Sequence, residues 1–527
     1  MYLKKFILKL EDEATLLKEI NNTEPEKNNL LDIKVVMDTL KLLHSCIVNN
    51  FPESDIEDNG KYFIDIFHDL IEAIISNEEK IIISNLIIID DFICRVRPLI
   101  EPRNFRSYRR KISTLIKNRI SNLQEKKIIE KKIHFLWVGN IPTFYLKYIQ
   151  LWSELNKDYK ITLWLDFETL LAGYLYEDKI GKIKNNDISN KHCINIHKEC
   201  FYFYRSQPYT NDTVISNYLK NKTLLIKRKE IIRKIKNSLL KTSSNNIFIR
   251  DFNDIIKKHN YIDEREIYNF EIFYRTNLAA ASDIARILIL KEEGGIYVDV
   301  DTIPKLNLKL KDNELFSRKE KKHFLYLEKL RTFKNHIILN ELSHCGIIPK
   351  ENWNDMSLME ENNITLISNI KNHMDKIDKK EIITGLGEVY LPFDLFLISR
   401  NKDKKKVFFS NIIATNKNSL FIKESLTLIK GNYKNIFDML QKKYIANNEK
   451  IFFESYSLDG YKNDSCVTLN VSGPGALLNA AHACIVKYFE LPICISQEST
   501  IELLSNHLSF TEQTIETVHS LKSSWML

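Results

Sequence analysis

The fold of this chain is decided by the stretch Tyr274-Arg-Thr-Asn-Leu-Ala-Ala-Ala-Ser-Asp-Ile-Ala-Arg-Ile-Leu-Ile-Leu-Lys-Glu-Glu-Gly-Gly-Ile-Tyr-Val-Asp-Val-Asp301. Apolar side chains in its first half recur at the spacing of a buried helical stripe, at Leu278, Ala281, Ala285 and Leu288. We expect the helix to end at Gly294 and Gly295, because glycine tolerates the left-handed conformation of a helix C-cap. Residues 296–301 then predict a buried strand.

The predicted strand carries two carboxylates on one face. Side chains alternate along a strand, so Tyr297, Asp299 and Asp301 are expected to point to the same side. Two such carboxylates repel each other unless a cation lies between them, and hard divalent cations prefer oxygen ligands and bridge to phosphate oxygens. On the preceding helix, Asp283 and Arg286 share a face and offer an acceptor and a bidentate donor.

Length and composition predict a folded protein with more than one module. The chain has 527 residues, more than one domain usually contains, and 44% of them are hydrophobic. Its net charge of +8 accompanies many acidic residues, which fits anionic partners but gives no indication of nucleic-acid binding. The eight cysteines are scattered and often lie in apolar sequence, so we expect reduced, buried thiols in a cytosolic setting.

Neither a signal peptide nor a membrane span is predicted. The apolar segment after Met1 is too short and becomes acidic too soon for a signal peptide. The most apolar window, Ile81 to Ile100, contains two aspartates and two arginines and therefore predicts a core helix. If the protein leaves its cell, we expect a signal-independent route or export as part of something larger.

Residues 1–130 predict a bundle of antiparallel helices. Apolar residues recur there at helical spacing, for instance at Leu30, Ile33, Val36, Met37, Leu40 and Leu43. The segment from Arg103 to Lys132 is strongly basic and includes Arg106, Arg109, Arg110 and Lys111. These charges fit either a solvated helix face or a surface that contacts anionic lipid or an acidic partner.

A change in composition at Ile133 marks a sheet domain. Ile133–Gly139 predicts an apolar strand, Thr143–Leu155 a helix, and Tyr159–Leu165 a second strand. This order is a βαβ unit, so the sheet is at least partly parallel and its ligand site lies at the carboxyl ends of the strands. Trp137 falls near such an end, where an indole either fills the core or stacks on a nucleotide base.

The remaining sequence predicts further helices, a strand with a loop, and a tight turn. Residues 170–270 are expected to form a charged, helical insertion. Its His192, Cys193, His197 and Cys200 do not favour a zinc site, because no second pair with suitable spacing accompanies them. Glu388–Asp394 predicts a strand and loop, and Asn470-Val-Ser-Gly-Pro-Gly475 a tight turn that opens a helix over 476–486.

Together these motifs resemble a known family. The run from Asn277 to Arg286, followed by Gly-Gly-Ile-Tyr-Val-Asp-Val-Asp, resembles the DXD region of GT-A glycosyltransferases, most closely the catalytic domain of the large clostridial glucosylating toxins. The segments 133–139 and 470–475 match that family, as do Ser523 and Trp525 near the end. The resemblance implies an α/β fold with a GT-A, Rossmann-like mixed sheet over 131–527, preceded by the helical bundle of 1–130.

The resemblance also implies an activity and its site. A retaining glycosyltransferase would bind a UDP-sugar with Mn²⁺ or Mg²⁺ on Asp299 and Asp301, and Trp137 would stack on uracil. Asp283 would hold sugar hydroxyls and Arg286 the β-phosphate, while Ser523 and the catalytic Trp525 would close a lid. The other donor-binding residues implied are Leu278, Ser282, Tyr297 and Ile422. Ile422 leaves room for glucose, so UDP-glucose is the expected donor.

Two positions depart from the family. The family has a metal-binding glutamate five residues before the last tryptophan, where this chain has Ser520 and the nearest acid is Glu516. An asparagine that contacts the donor sugar is replaced by Lys423, which leaves the geometry and identity of the donor open.

The expected acceptor is a hydroxyl of a host protein, a Rho/Ras-type small GTPase. The protein is expected to act in the host cytosol, with its helical bundle at the inner face of host membranes. A host translation elongation factor, a glycan acceptor, and a non-catalytic membrane-associated binding module are the alternatives.

Overall fold

The computed structural model describes residues 32–43, 45, 65–74, 76–122, 126–184, 189–207, 214–240, 246–259, 261–302, 385–400, 407–442, 446–461 and 467–511. The lid residues Ser523 and Trp525, and Glu516 and Ser520 beside them, lie outside these ranges. Among the described residues, no helix is both long and apolar enough to cross a membrane.

The strands within the described ranges are, in chain order, β1 (Lys126–Ile128), β2 (Lys132–Trp137), β3 (Lys160–Leu165), β4 (Ile247–Asp251), β5 (Gly295–Val298), β6 (Tyr390–Pro392), β7 (Phe396–Arg400), β8 (Phe408–Thr415) and β9 (Ser509–Thr511).

Helical stretches 32–43 and 65–74 precede the first helix with defined bounds. The α-helices are then α1 (Glu79–Arg95), α2 (Pro102–Asn122), α3 (Thr143–Leu155), α4 (Ala172–Lys184), α5 (Asn190–Arg205), α6 (Val214–Tyr218), α7 (Leu224–Leu240), α8 (Asn253–His259), α9 (Ile262–Phe270), α10 (Leu278–Glu293), α11 (Leu420–Gln441), α12 (Asn447–Leu458), α13 (Val467–Val471), α14 (Pro474–Tyr488) and α15 (Gln497–His507). A 3-10 turn (Arg97–Leu99) follows α1, and a π-helical turn (Glu271–Arg275) follows α9.

Seven strands form a mixed sheet in the order β4-β3-β2-β5-β8-β7-β9. Strands β4, β3, β2 and β5 are parallel, whereas β8 pairs antiparallel with both β5 and β7. The chain passes from β2 to β3 and β4 on one side and returns to β5 on the other. The boundary between β2 and β5 is therefore a point where the strand order reverses, the position at which open α/β sheets bind ligands.

The predicted βαβ unit is confirmed. Helix α3 has the predicted bounds, and β2 and β3 pair in parallel along their whole length. Both strands are almost entirely buried, as their continuous apolar sequence requires when helices cover both faces of a parallel sheet. The 170–270 segment differs from the prediction, because it also contains β4, which pairs with β3 as an edge of the sheet.

The N-terminal helices bury the predicted stripe. Ile33, Val36, Met37, Leu40 and Leu43 are all less than 9% exposed, whereas Leu30 lies outside the described residues. Helix α1 is the core helix predicted from its apolar window, and its buried aspartates bind arginines. The division of the chain at residue 130 stays a prediction.

The basic segment is not a single solvated face. Arg109 turns inward and donates hydrogen bonds to both carboxylate oxygens of Asp90, at 2.9 and 3.0 Å, and to Glu498 at 3.1 Å. Arg119 likewise binds Asp32 and Glu79 and is only 6% exposed. Two of the basic residues are therefore internal ion-pair partners, while Arg106 and Arg110 remain exposed.

Candidate active site

A cavity of about 560 Å³ opens where β2 and β5 end. Its wall combines residues 136–138, at the end of β2, with residues 299–301, which follow β5. Helix α10 contributes a third side through residues that include Leu278, Ser282, Asp283 and Arg286. The volume falls in the range of about 300–1,000 Å³ that is typical of small-molecule sites, and the position is the expected one.

Helix α10 ends at Gly294, as the sequence predicts, and the structure shows how its start is capped. The side chain of Asn277 caps its start by accepting a hydrogen bond from the backbone nitrogen of Ala280 over 3.0 Å. Gly294 ends it with a φ of +64°, and a side chain at this position would meet the backbone nitrogen of Lys417 at 2.8 Å. These two caps set where α10 begins and ends.

Arg286 connects the helix to the acidic turn. Its Nη2 lies 3.1 Å from Asp283 Oδ1 and 3.5 Å from Asp299 Oδ1, and its Nη1 donates to the backbone carbonyl of Ser410 over 2.7 Å. The guanidinium also lies 4.8 Å from the centre of the Tyr297 ring. Burial by itself would lower the pKa of Arg286, but the surrounding anionic and phenolic groups raise it above its ordinary value. Arg286 is therefore a fixed positive charge beside the cavity.

Asp283 lies on the same wall and is 7% exposed. Burial raises the pKa of Asp283, and the charge of Asp299 adds to the rise, while Arg286 opposes it. Charge on this carboxylate is thus stabilised mainly by Arg286, its neighbour three residues along the helix.

The acidic stretch is a turn, not the strand that we predicted through Asp301. Strand β5 ends at Val298, and the backbone nitrogen of Asp299 still donates to Asn411 of β8 over 2.8 Å. The backbone nitrogen of Thr302 then donates to the carbonyl of Asp299 over 2.9 Å and closes a turn. Asp299 and Asp301 nevertheless both line the cavity.

Tyr297 lies behind this turn. It is fully buried, and its hydroxyl donates a hydrogen bond to Asp299 Oδ1 over 2.7 Å. Burial raises the pKa of Tyr297 well above its ordinary value, so the hydroxyl keeps its proton. Tyr297 is not one of the described residues that line the cavity. It affects the site through its hydrogen bond to Asp299.

The two turn aspartates fit a hard divalent cation. Both offer carboxylate oxygens at the cavity, and the side chain of Asp299 is 28% exposed, so water and phosphate oxygens can complete a coordination sphere. The pKa of Tyr145 on α3 is raised mainly by burial, and the negative charge of Asp301 raises it further. Within the described ranges no third acidic side chain completes a three-ligand cluster here, and none forms around His197.

Trp137 lies at the end of β2 and lines the cavity half-buried. Its ring packs against Tyr145 with a centroid separation of 5.3 Å and an interplanar angle of 34°. Gly139 follows with a φ of +91°, and a Cβ there would lie 2.8 Å from Cδ1 of Leu278. The glycine thus lets the end of β2 approach the start of α10 closely.

The segment before α14 closes another side of the cavity. Thr468, Leu469 and Pro474 line it, and α14 begins at Pro474, two residues before the predicted start. Gly473 has a negative φ, so its role is close packing and not the backbone freedom that we expected: a Cβ would lie 3.3 Å from Asp283 Oδ2.

Ile422, which the sequence predicted as a donor-binding residue, is not one of the described residues that line the cavity. It is fully buried on α11, and the neighbouring Glu424 binds Lys487 over 2.7 Å. The residue of this region that does line the cavity is Ser410 on β8. A short motif match had selected a helical segment, whereas the strand paired with β5 is the one that reaches the site.

Sequence reasoning missed several cavity residues, namely Asn140, Tyr174, Glu177, Ser410, Thr468 and Leu469. It also missed the buried support of the site. Arg275 donates to Glu271 and, over 2.9 Å, to Thr468, which fastens α13 to the turn before α10. The one sequence signal for this support was the spacing of Glu271 and Arg275, four residues apart in an apolar helical stretch.

A mixed sheet with paired aspartates, a buried arginine and an aromatic ring around one cavity at its reversal point fits the GT-A class of glycosyltransferases that the sequence resembles. A family model agrees with this class. Residues 131–179 and 176–503 match the TcdA/TcdB catalytic glycosyltransferase domain. The chain belongs to this family and is a glycosyltransferase.

Sequence identity to individual members of the family is low, 28% or less for two of the toxins. Cytotoxin-L of Paraclostridium sordellii is 28% identical over 67% of this chain, and Toxin A of Clostridium novyi is 25% identical over 80% of it. The chain spans 16% and 21% of the lengths of those two proteins. The crystal structure of the catalytic domain of alpha-toxin from Clostridium novyi shares the fold, with a TM-score of 0.63, 21% identity, and coverage of 92% of this chain and 96% of that one.

Proposed function

We propose that this glycosyltransferase takes glucose from UDP-glucose and transfers it, with retention at the anomeric carbon, to a hydroxyl of a Rho/Ras-type small GTPase of a host cell. The observation that carries the proposal is the grouping of Asp283, Arg286, Asp299 and Asp301 around one cavity that also contains Trp137. Membership of a toxin catalytic-domain family supports a role as a toxin or effector.

The proposed chemistry is the departure of a nucleoside diphosphate. Arg286, a buried and permanently charged group, would stabilise negative charge on the β-phosphate. Asp283 would accept hydrogen bonds from sugar hydroxyls and fix the anomeric carbon for attack. Trp137 would stack on uracil, while Leu278 and Ser282 would contact the donor from the first turns of α10. Tyr297 would act through Asp299.

We further propose Asp299 and Asp301 as ligands of Mn²⁺ or Mg²⁺. When bound there, the ion would neutralise charge on the diphosphate. The all-oxygen donor set and the partial exposure of Asp299 support this assignment. Ser523 and Trp525 are proposed as a lid over the donor, which would exclude water and favour transfer over hydrolysis.

The proposed place of action is the host cytosol, with the N-terminal helices against the inner face of a host membrane. The exposed Arg106 and Arg110 support contact with anionic lipid. We also propose that the protein leaves the cell that makes it by a signal-independent route.

The test is to incubate the protein with radiolabelled UDP-sugars, Mn²⁺ and a host-cell lysate. Label from UDP-glucose in a protein band with the mass of a small GTPase is the expected result. Label in a band with the mass of an elongation factor, or in lipid or glycan, would replace the proposed acceptor. Label only from another UDP-sugar would replace glucose. Absence of both transfer and donor hydrolysis would contradict the proposal as a whole.

A further inference from the structure

Helix α7 presents a ridge of basic side chains to solvent. Its sequence contains six basic residues and one acidic residue. Lys222 just before the helix and Ile226, Lys229, Arg233 and Lys236 within it follow at intervals of three or four residues, which places them along one face. All five are exposed, and we call them the α7 ridge.

The opposite face of α7 is already used by the protein. Leu224 and Ile235 are each 2% exposed, and Ile231 and Ile232 pack against the hydrophobic core that contains α3. Ile226, by contrast, is 63% exposed in the middle of the ridge. The apolar face therefore accounts for the fold of the helix, and the ridge is not needed for it.

The ridge charges are not compensated within the part of the chain that the structure describes. Lys222, Lys229, Arg233 and Lys236 form no salt bridge with another described residue, although such bridges are frequent elsewhere on the surface. Like charges along one helix face repel one another. An acidic surface bound there would offset this repulsion and cover Ile226.

Helix α7, which carries the ridge, contacts a residue of the cavity wall through a different side chain. The ammonium group of Lys227, on the flank of α7, lies 5.1 Å from the centre of the Tyr174 ring. Tyr174 and Glu177 on α4 both line the cavity. A macromolecule bound to the ridge would therefore be held on a helix that adjoins the wall of the cavity.

We infer that the α7 ridge binds an acidic surface of the protein acceptor and so holds the acceptor hydroxyl at the cavity. The inference rests on the proposed function, because it assumes a protein acceptor for the same site. A membrane is a poorer match, since a helix that binds in a bilayer surface inserts its apolar face, and here that face is buried in the protein.

The test compares two double variants with the same change in charge. Lys229→Glu/Arg233→Glu alters the ridge, and Lys434→Glu/Lys450→Glu alters exposed positions on α11 and α12 that do not line the cavity. Two rates are measured for the full chain: hydrolysis of UDP-glucose, and transfer of labelled glucose to protein in a membrane-free host extract. The transfer rate is measured at several salt concentrations. Binding of fluorescent poly-L-glutamate and of phosphatidylserine vesicles is measured separately.

We expect the ridge variant to hydrolyse the donor normally but to lose about tenfold or more in transfer at low salt, with a smaller loss at high salt. It should also lose binding to poly-L-glutamate, while the control variant keeps both properties. Normal transfer by the ridge variant would overturn the inference, including the case in which it loses only vesicle binding. If the wild type shows no hydrolysis, the proposed function fails. In that case, equal binding of poly-L-glutamate by the wild type and the ridge variant would separately overturn the inference that the ridge binds an acidic surface.

Discussion

The hydroxyl of Tyr297 donates a hydrogen bond to Oδ1 of Asp299 over 2.7 Å, so the strand that leads into the acidic turn also orients its first carboxylate. Asp299 Oδ1 lies 3.5 Å from Arg286 Nη2 as well. Protein groups thus hold one carboxylate oxygen of a residue that lines the cavity. Partners of this kind fix the orientation of a metal ligand without touching the metal.

Replacing Tyr297 with phenylalanine removes this hydrogen bond but keeps the ring beside Arg286. We expect a loss of about 10- to 100-fold in apparent metal affinity, measured by titrating Mn²⁺ against donor hydrolysis. The free energy of unfolding should fall by only about 1–2 kcal/mol. Tyr159→Phe is the matched control, because its hydroxyl binds the carbonyl of Gly387 away from the site. An unchanged Mn²⁺ titration for Tyr297→Phe would show that Asp299 needs no such support.

Replacing Asp299 and Asp301 with asparagine should abolish transfer while the fold remains. Both residues lie in the turn after β5, outside the packed strand, and both line the cavity. We expect a loss of about 10³-fold or more in kcat, with a thermal midpoint close to that of the wild type. Asp158→Asn, at an exposed surface pair with Lys131, controls for the loss of charge. Near-normal, metal-dependent turnover by the double variant would refute the metal assignment.

Trp137→Ala should weaken donor binding. Base stacking contributes about 1–3 kcal/mol by alanine substitution, so the KM for the UDP-sugar should rise about 5- to 150-fold. Phenylalanine at this position should restore much of the loss, because it keeps an aromatic face next to Tyr145. Circular dichroism of the same samples separates the two roles of the indole. If the alanine variant unfolds while its folded fraction binds the donor normally, Trp137 is a core residue.

The parts of the fold that the sequence predicted are those set by local pattern. The bounds of α3 and the glycine C-cap of α10 follow from periodicity and from the φ that only glycine adopts readily. Strand β4 was missed because its apolar run is short, lies among helices, and is stabilised by pairing with β3 at the sheet edge. The grouping of Asp283, Arg286, Asp299 and Trp137 was predictable, because parallel strands and the helix between them meet at one end of a sheet.

The errors concern partners that are distant in sequence. Arg109 and Arg110 are adjacent, yet one is internal because Asp90 and Glu498 face it, and Glu498 is 389 positions away. The turn at Asp299 depends on a hydrogen bond to the carbonyl of Asn411 on β8. The sequence did not reveal that β8 pairs with β5, so Ser410 on β8 was not predicted as a cavity residue. No window of sequence around these residues contains the group that decides their position.

Acid should destabilise the sheet through His134. Trp164 Nε1 donates to Nδ1 of His134 over 3.2 Å, so the proton is on Nε2, which donates to the carbonyl of Gly294 over 2.9 Å. Burial lowers the pKa of His134 to about 4, whereas the unfolded chain binds this proton at about 6.5. The unfolded state therefore binds more protons between these values, and the free energy of unfolding should fall by up to about 3 kcal/mol as the pH drops from about 6.5 to 4.

Urea unfolding at several pH values tests this dependence. His134→Gln lacks the titrating group, so it should lose less stability on acidification than the wild type, by about 2–3 kcal/mol over the same window. His192→Gln, at an exposed position, should behave like the wild type. Parallel curves for the wild type and His134→Gln would mean that other groups cause the acid sensitivity.

The N-terminal basic segment should separate into structural and surface charges. Arg109 has a side chain that is 14% exposed and binds Asp90, which is 5% exposed. Arg109→Glu would place two carboxylates in a buried contact, so we expect a loss of at least about 3 kcal/mol in the free energy of unfolding. Arg106→Glu/Arg110→Glu/Lys111→Glu should change stability much less, because these side chains lie at the surface or at its edge. Chemical denaturation of both variants gives the comparison.

The surface variant also tests membrane contact without the confounding loss of Arg109. If the segment binds anionic lipid, each charge near the bilayer contributes about 1 kcal/mol, screened by salt. The triple variant should then leave phosphatidylserine-rich vesicles at low salt, whereas donor hydrolysis, which takes place in the cavity at the sheet, should persist. Glucosylation of a membrane-resident acceptor in cells should fall. Vesicle binding that is absent in the wild type, or equal in the triple variant, would leave these residues as a solvated helix face.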